Sequence, residues 1–173
     1  MALLQLTKQT PDEAITELLG QVVESARQEF APLQFEGQYP DGGFGIQQLR
    51  PRHIGHAKAI WQYTVTTSFA NWISKTLGVD NFVVPTGMFN LTADPSTVEI
   101  QPTANGKDFP VMNIENLYSN NALALGWFTK PFAVRPSNLI KFQNIGRVAQ
   151  TERLGLDGYT VAKRSFLINQ TAS

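Results

Sequence analysis

The chain has 173 residues, 42% of them apolar, with 28 charged side chains that cancel to a net charge of zero, two histidines and no cysteine. Disulfides, thiolate metal sites and thiol nucleophiles are therefore excluded, and the neutral balance argues against a dedicated nucleic-acid binder. Thirty-nine residues are Asn, Gln or Thr, which hydrogen-bond well but do not trade protons near neutrality, so this surface suits contact with other surfaces better than catalysis.

A chain of this size buries roughly 70% of the surface its unfolded form exposes, enough for one self-sufficient core. We expect a single domain over residues 1–173, divided into an N-terminal helical arm (1–31), a loop-rich connector (32–58) and a β-sandwich (59–173). Residues 1–8 lack the basic start and apolar length of a secretory signal. The longest apolar run, 122–128, contains Gly126 and falls far short of the ~20 residues a spanning helix needs, so any membrane contact is expected to be peripheral. Charge is unevenly spread. Residues 1–41 carry seven acids against two bases, a net of −5, whereas 129–173 carry seven bases against Glu152 and Asp157 alone, a net of +5. Such segregation reads either as solvated surface or as complementary contact between copies or toward an anionic partner.

In chain order, the first element is a helix. Thr10 and Glu13 have capping-box spacing, Pro11 sits at the favoured first position, and Asp12 and Glu13 place negative charge at the positive end of the dipole. Ala14, Ile15, Leu18, Leu19, Val22, Val23, Ala26 and Phe30 then recur at three- and four-residue spacing, and Pro32 ends the helix. The stripe belongs either to the core or to a face docked on a neighbouring subunit. Residues 35–46, dense in Gly, Pro and Asp, predict a connecting loop, and no Gly-Lys-Ser/Thr follows that would make it a phosphate loop.

From residue 59 the pattern changes to strands. Residues 60–68 alternate Trp61, Tyr63 and Val65 with Gln62, Thr64 and Thr66, a half-buried strand. Trp61, Val65, Phe69, Trp72, Ile73 and Leu77 also fit helical spacing, with Gly78 placed to cap, so a short second helix is expected through Leu77. Further short strands are expected at 82–84, 88–93, 97–101, 109–114, 122–128, 139–145 and 159–168. Turn signals separate them at 84–87, 94–96, 105–106, 119–121, 136–138 and 156–158. Asn105-Gly106 is the strongest hairpin marker, since a type I′ turn wants positive φ at both central positions. Eight short strands with frequent turns and one capped helix predict a mainly β fold, a single jelly-roll sandwich or barrel with an N-terminal helix.

Constellations that carry chemistry are sparse. His53 and His56 stand in Arg50-Pro51-Arg52-His53-Ile54-Gly55-His56-Ala57-Lys58. Cupin-type sites want His-x-His, a following acid and a third His; here the spacing is His-x-x-His, no acid follows until Asp80, and Arg50, Arg52 and Lys58 repel a cation. The segment is read as an ordinary loop or as a basic loop at a subunit junction. No Gly-x-Ser-x-Gly elbow accompanies either histidine, and Glu99 and Glu115 have nothing aimed at them that suggests a carboxylate pair. Asn90-Leu91-Thr92 and Asn169-Gln170-Thr171 match the glycosylation pattern, which is without consequence if the chain is not secreted. Trp61, Trp72 and Trp127 are read as core, with a sugar platform as the alternative.

The capped N-terminal helix, the cysteine-free β-sandwich of 173 residues and the Asn-, Gln- and Thr-rich surface together resemble a known protein family. It is the smaller major capsid protein of tailless, icosahedral, internal-membrane phages of thermophilic bacteria, the Thermus phages of single vertical jelly-roll type. The resemblance spans the chain through length, order of elements and character, not through a short motif. It implies a structural, non-enzymatic coat protein of the virion, made in the host cytoplasm, that self-associates (a dimer being expected). It further implies co-assembly with a larger capsid protein over an internal lipid membrane, without cofactor, metal or specific nucleic acid. Candidate subunit contacts are Ile15, Leu18, Leu19 and Val22 on the helix and Arg50, Arg52, His53 and His56 in the basic loop. A carbohydrate-binding adhesin module is the alternative function, and a cupin-like enzyme the third.

Overall fold

The structure is a computed structural model that describes residues 6–30, 43–121 and 124–168. Strand β1 (Leu6–Thr7) precedes helix α1 (Asp12–Phe30), followed by β2 (Phe44–Gln48), β3 (Tyr63–Val65), β4 (Ala70–Thr76), β5 (Asn81–Asn90) and β6 (Thr97–Ala104). Then come β7 (Lys107–Asp108), β8 (Met112–Asn113), β9 (Ala124–Phe128), β10 (Leu139–Gly146), β11 (Gln150–Glu152), β12 (Leu154–Lys163) and a short helix α2 (Arg164–Ile168).

The pairing is nested and antiparallel throughout. Strand β2 pairs with β12, β4 with β10, β5 with β9, and β6 with β7 and β8. This is a long two-stranded ribbon, wrapped so that β5 also pairs with β12 and β6 with β10. Two five-stranded sheets result, β1-β9-β5-β12-β2 and β4-β10-β6-β7 with β8 also on β6, together with a two-stranded sheet of β11 and β3. A ribbon folded this way into two facing sheets is a jelly roll.

Each sheet contributes one face to a shared core. Met88, Phe128, Leu154 and Leu156 from the first sheet pack with Ile73, Ile100, Ile140 and Phe142 from the second. Phe142 sits at its centre, with ring contacts to Trp72 at 5.6 Å, Phe128 at 6.2 Å and Phe132 at 6.5 Å. Strand β10 alternates buried and half-buried residues without exception, the pattern of a strand with one face inward. The first sheet differs, because β5 is buried on both faces. Helix α1 covers its outer side: Val22 and Ala26 join Phe82, Val84 and Val161 in a second cluster, and Phe30 meets Phe82 edge-on at 5.5 Å. Ile15 N–H donates to the Pro11 carbonyl at 3.0 Å, so the helix begins where Thr10 and Pro11 signal it.

Several sequence expectations are corrected. Residues 70–76, expected as helix, form β4: a register shift opposite Phe142 leaves Trp72 and Ile73 consecutive and both buried, and that bulge imitates helical spacing. The expected strands 82–84 and 88–93 are one strand, β5. Pro85 and Gly87 do not make a turn. They flank a bulge at which Asp157 lies opposite Gly87 and Gly158 opposite Pro85, so the proline with no N–H to donate sits where pairing is already broken. Gly158 is needed there, since a Cβ would lie 2.3 Å from the Val84 carbonyl oxygen; the turn expected at 156–158 is therefore strand.

The connector expected over 32–58 contains strand β2 and a 3-10 turn at Pro51–Ile54. Of the expected 60–68 only Tyr63–Val65 is strand, of 109–114 only Met112–Asn113, and 159–168 bends into α2 after Lys163. The Asn105-Gly106 hairpin holds as expected, with φ of 53° and 77° between β6 and β7.

Phe142→Ala empties the centre of the ring cluster. The expected cost is about 3–5 kcal/mol, whereas Ile46→Ala, half exposed on edge strand β2, should cost under about 0.5 kcal/mol. Thermal unfolding of both variants checks this.

Candidate functional site

Three places combine unusual chemistry with a defined geometry. The first is the basic loop. Arg50 and the following 3-10 turn hold His53 so that the Arg50 N–H donates to His53 Nδ1 at 3.1 Å while the His53 N–H donates to the Arg50 carbonyl at 3.0 Å. The imidazole takes the part that a glutamate or glutamine side chain plays in a capping box. It must be neutral to accept that bond. Burial, with the Arg50 charge beside it, lowers the His53 pKa from 6.5 to about 4. Its ring lies 5.7 Å from Phe166 of α2. His56 meets Trp61 edge-on at 5.5 Å and is likewise lowered by burial. The two histidines are thus tied to different aromatic neighbours. Arg50 is exposed, and Arg52 is half-buried with its Nε enclosed and unbonded among the described residues.

The second place is one the sequence reading missed. Glu152 is completely buried, yet among the described residues no cation pairs with it. Its Oε1 accepts from Thr97 Oγ1 at 2.6 Å, Asn90 Nδ2 at 3.1 Å and Thr97 N at 3.3 Å. Its Oε2 accepts from Gln150 Nε2 at 2.6 Å and from the Ser96 N–H. Burial pushes this carboxyl up, but the Thr97, Ser96, Gln150 and Asn90 donors outweigh it, and the net effect holds it below its ordinary value. The network spreads outward. Asn144 Nδ2 donates to Thr97 Oγ1 at 3.3 Å, Tyr118 OH donates to the Thr97 carbonyl at 2.6 Å, and Ser96 Oγ donates to the Val148 carbonyl at 2.6 Å. The loops after β5, β8 and β10 are joined through one carboxylate. The only sequence signal was that Glu152 and Asp157 are the two acids in an otherwise basic stretch.

Asp157 belongs to the third place, a cleft of about 410 Å³ between the first half of α1 and the outer face of the first sheet. Trp127, Tyr159, Gln48, Thr86 and Asp157 line the sheet side, and Ile15, Thr16 and Leu19 the helix side. Burial raises the Asp157 pKa. Of the three tryptophans, Trp72 is buried in the core, Trp61 is half-buried against His56 and Phe89, and Trp127 stands half-exposed in this cleft.

The remaining candidates lie on α1. Ile15 and Val22 are buried, and Leu18 and Leu19 are half-buried. Val22, Leu18 and Leu19 pack with the outer face of the chain's own first sheet. Among the described residues no group of three or more His, Asp or Glu is placed to hold a metal ion, and no helix is long and apolar enough to cross a membrane.

No family model matches the chain, and no curated protein matches it. Among solved structures it is similar to the crystal structure of the infectious bursal disease virus VP2 subviral particle, at 8% identity and a TM-score of 0.40. That similarity covers 77% of this chain and 36% of the viral one. The chain thus spans about a third of that protein's length, and a likeness this distant carries no argument about function.

Glu152→Gln replaces an acceptor-only group with one whose amide N–H₂ faces donors. It should destabilise the chain by about 2–4 kcal/mol and speed hydrogen exchange in residues 91–97 and 147–153 ahead of the core. A second outcome concerns pH. The unfolded chain binds protons at His53 and His56 near 6.5 while the fold resists them, so stability should fall as pH drops from 6.5 toward 4. Glu152, lowered in the fold, extends the loss below its ordinary 4.5; Asp157, raised in the fold, acts in the opposite sense. Denaturant titrations between pH 7 and 4 should show this slope, and His53→Gln with His56→Gln should flatten the part above pH 4.5.

Proposed function

We propose that the chain is a structural coat subunit of a virus particle, a jelly roll that self-associates and works with copies of itself and a larger capsid protein. In this reading it is made in the host cytoplasm, resides in the virion, touches an internal lipid membrane only peripherally, and has no catalytic role. The family resemblance set out above supplies the partners and the membrane. The observation that carries the assembly reading is a complete jelly roll whose opposite charges are not neutralised against each other.

Helix α1 presents Asp12, Glu13, Glu17, Glu24 and Glu29 to solvent on the outer side of the first sheet. Of the bases of the C-terminal third, Lys163 lies against the end of the helix, its Nζ 6.0 Å from the Phe30 ring centre. Arg147 approaches Asp94 at 3.8 Å, Lys163 pairs with Asp80 at 3.2 Å, and the Arg153 Nε donates to the Trp61 carbonyl at 2.8 Å. Among the described residues, no ion pair joins a helix acid to that basic third; the helix pair is Arg27–Glu24. Acidic and basic surfaces left separate within one chain suit contact between chains. The second sheet supports the same reading, because Leu139, Lys141, Gln143 and Ile145 of β10 form an uncovered, half-exposed row of mixed character.

A dimer would form most simply by exchange of the helical arm, with Leu18, Leu19 and Val22 meeting the same sheet in a partner copy. Exposed Arg50 and half-buried Arg52 would then serve as junction charges, with His53 and His56 fixing the shape of the loop that bears them.

Light scattering at high micromolar protein should show an oligomer at low salt and a weaker one at about 1 M salt, where the Debye length falls to roughly 3 Å. A monomer at both salts overturns the assembly reading. Charge reversal at Arg50 and Arg52 should weaken association while leaving the circular dichroism spectrum unchanged.

A further inference from the structure

The cleft beside the first half of α1 shares Ile15 and Leu19 with the candidate subunit contacts, while Trp127, Asp157, Thr86 and Gln48 on its sheet side have no role in that reading. Its volume lies within the range of small-molecule sites. Strand register sets its floor: Trp127 on β9 and Asp157 on β12 both lie opposite Gly87 of β5, which puts an indole and a carboxylate on either side of a residue with no side chain. The neighbouring row pairs Tyr159 with Gln48 of β2. The bulge in β5 turns Thr86 into the same space. Thr86 is only 4% exposed and lines the cleft.

We propose that this cleft binds a neutral saccharide, with the Trp127 ring as a platform and Asp157, Thr86 and Gln48 as its hydrogen-bond partners. A sugar ring has an apolar C–H face to lay on an indole and hydroxyls that both donate and accept. The cleft offers the matching set: a carboxylate that only accepts, an amide that does both, and hydroxyls from Thr86, Thr16 and Tyr159. Among the described residues no Lys or Arg lines it, so an anion would meet Asp12 and Asp157 without a counter-charge from that lining. A cation would use the carboxylates and leave the uncharged groups idle; of the two acids only Asp157 is half-buried, and Asp12 stands exposed at the helix start. The half-burial that raises Asp157 also strips water from a carboxylate with no ion pair, which a pair of sugar hydroxyls would relieve.

The test is a titration of the full chain with the methyl glycosides of glucose, galactose, mannose and N-acetylglucosamine, read by ¹H–¹⁵N NMR and tryptophan fluorescence. At least one sugar should give saturable shifts at the Trp127 indole N–H and the Gln48 side-chain amide, with a Kd of about 0.1–10 mM, the affinity of a single small site. Asp157→Asn and Gln48→Ala should each weaken that binding by about tenfold or more with the melting temperature within roughly 4 °C of the parent. The proposal is overturned if no sugar shifts these signals at concentrations up to about 50 mM, well past a millimolar Kd. It is equally overturned if the shifts persist undiminished in both variants, or if methylammonium chloride saturates the same signals at lower concentration than any sugar.

Discussion

Strands β5 and β12 carry apolar side chains on both of their faces, and the remainder of the architecture follows from burying both. The inner faces meet the second sheet across Met88, Leu154, Leu156 and Phe142. The outer faces carry Phe82, Val84 and Val161, which would be an exposed apolar patch without α1 lying over them. The amphipathic stripe of α1 is therefore the complement of a specific sheet surface, not a generic one. Close approach between β5 and β12 also explains the bulge at Pro85 and the absence of a side chain at Gly158.

The helix covers only part of that surface. Its later turns sit on the apolar end, where Phe30 meets Phe44 and Phe82 edge-on. Its first turns stand over polar sheet residues, and the mismatch leaves the cleft that holds Trp127 and Asp157. One packing decision thus produces both the second apolar cluster and the concave polar surface beside it.

At the loop end nearest β11, order comes from hydrogen bonds rather than apolar packing. Glu152 gathers donors from its neighbour Gln150 and from Asn90, Ser96 and Thr97, which lie 55 to 62 positions away in sequence. A buried carboxylate without a cation is tolerable only when every lone pair is met by a well-placed donor. The amide- and hydroxyl-rich composition makes such a cage available. At the opposite end, Phe109 lies 4.7 Å from Phe132, and Asn105 ties the hairpin tip to the Ala133 carbonyl at 2.7 Å. The two ends of the jelly roll are closed by different physics, hydrogen bonds around Glu152 at one end and aromatic packing at the other.

Local rules made much of this legible in the residues. Thr10 and Pro11 set the start of α1, Asn105-Gly106 set the hairpin, and β10 alternates as a strand with one face inward, because each depends on neighbours within a few positions. What only tertiary structure decided involves residues that act through distant partners. Bulges in β4 and β5 disrupt the period of two, so β4 looked helical and β5 looked like two strands with a turn. Strand β2 lies in a Gly-rich stretch and exists because β12 offers it an edge. Glu152 and Asp157 stood out in the sequence only as acids among bases. Whether an acid is caged by donors or set into a cleft depends on which backbone N–H groups and side chains converge on it, and that convergence exists only once the sheets have closed.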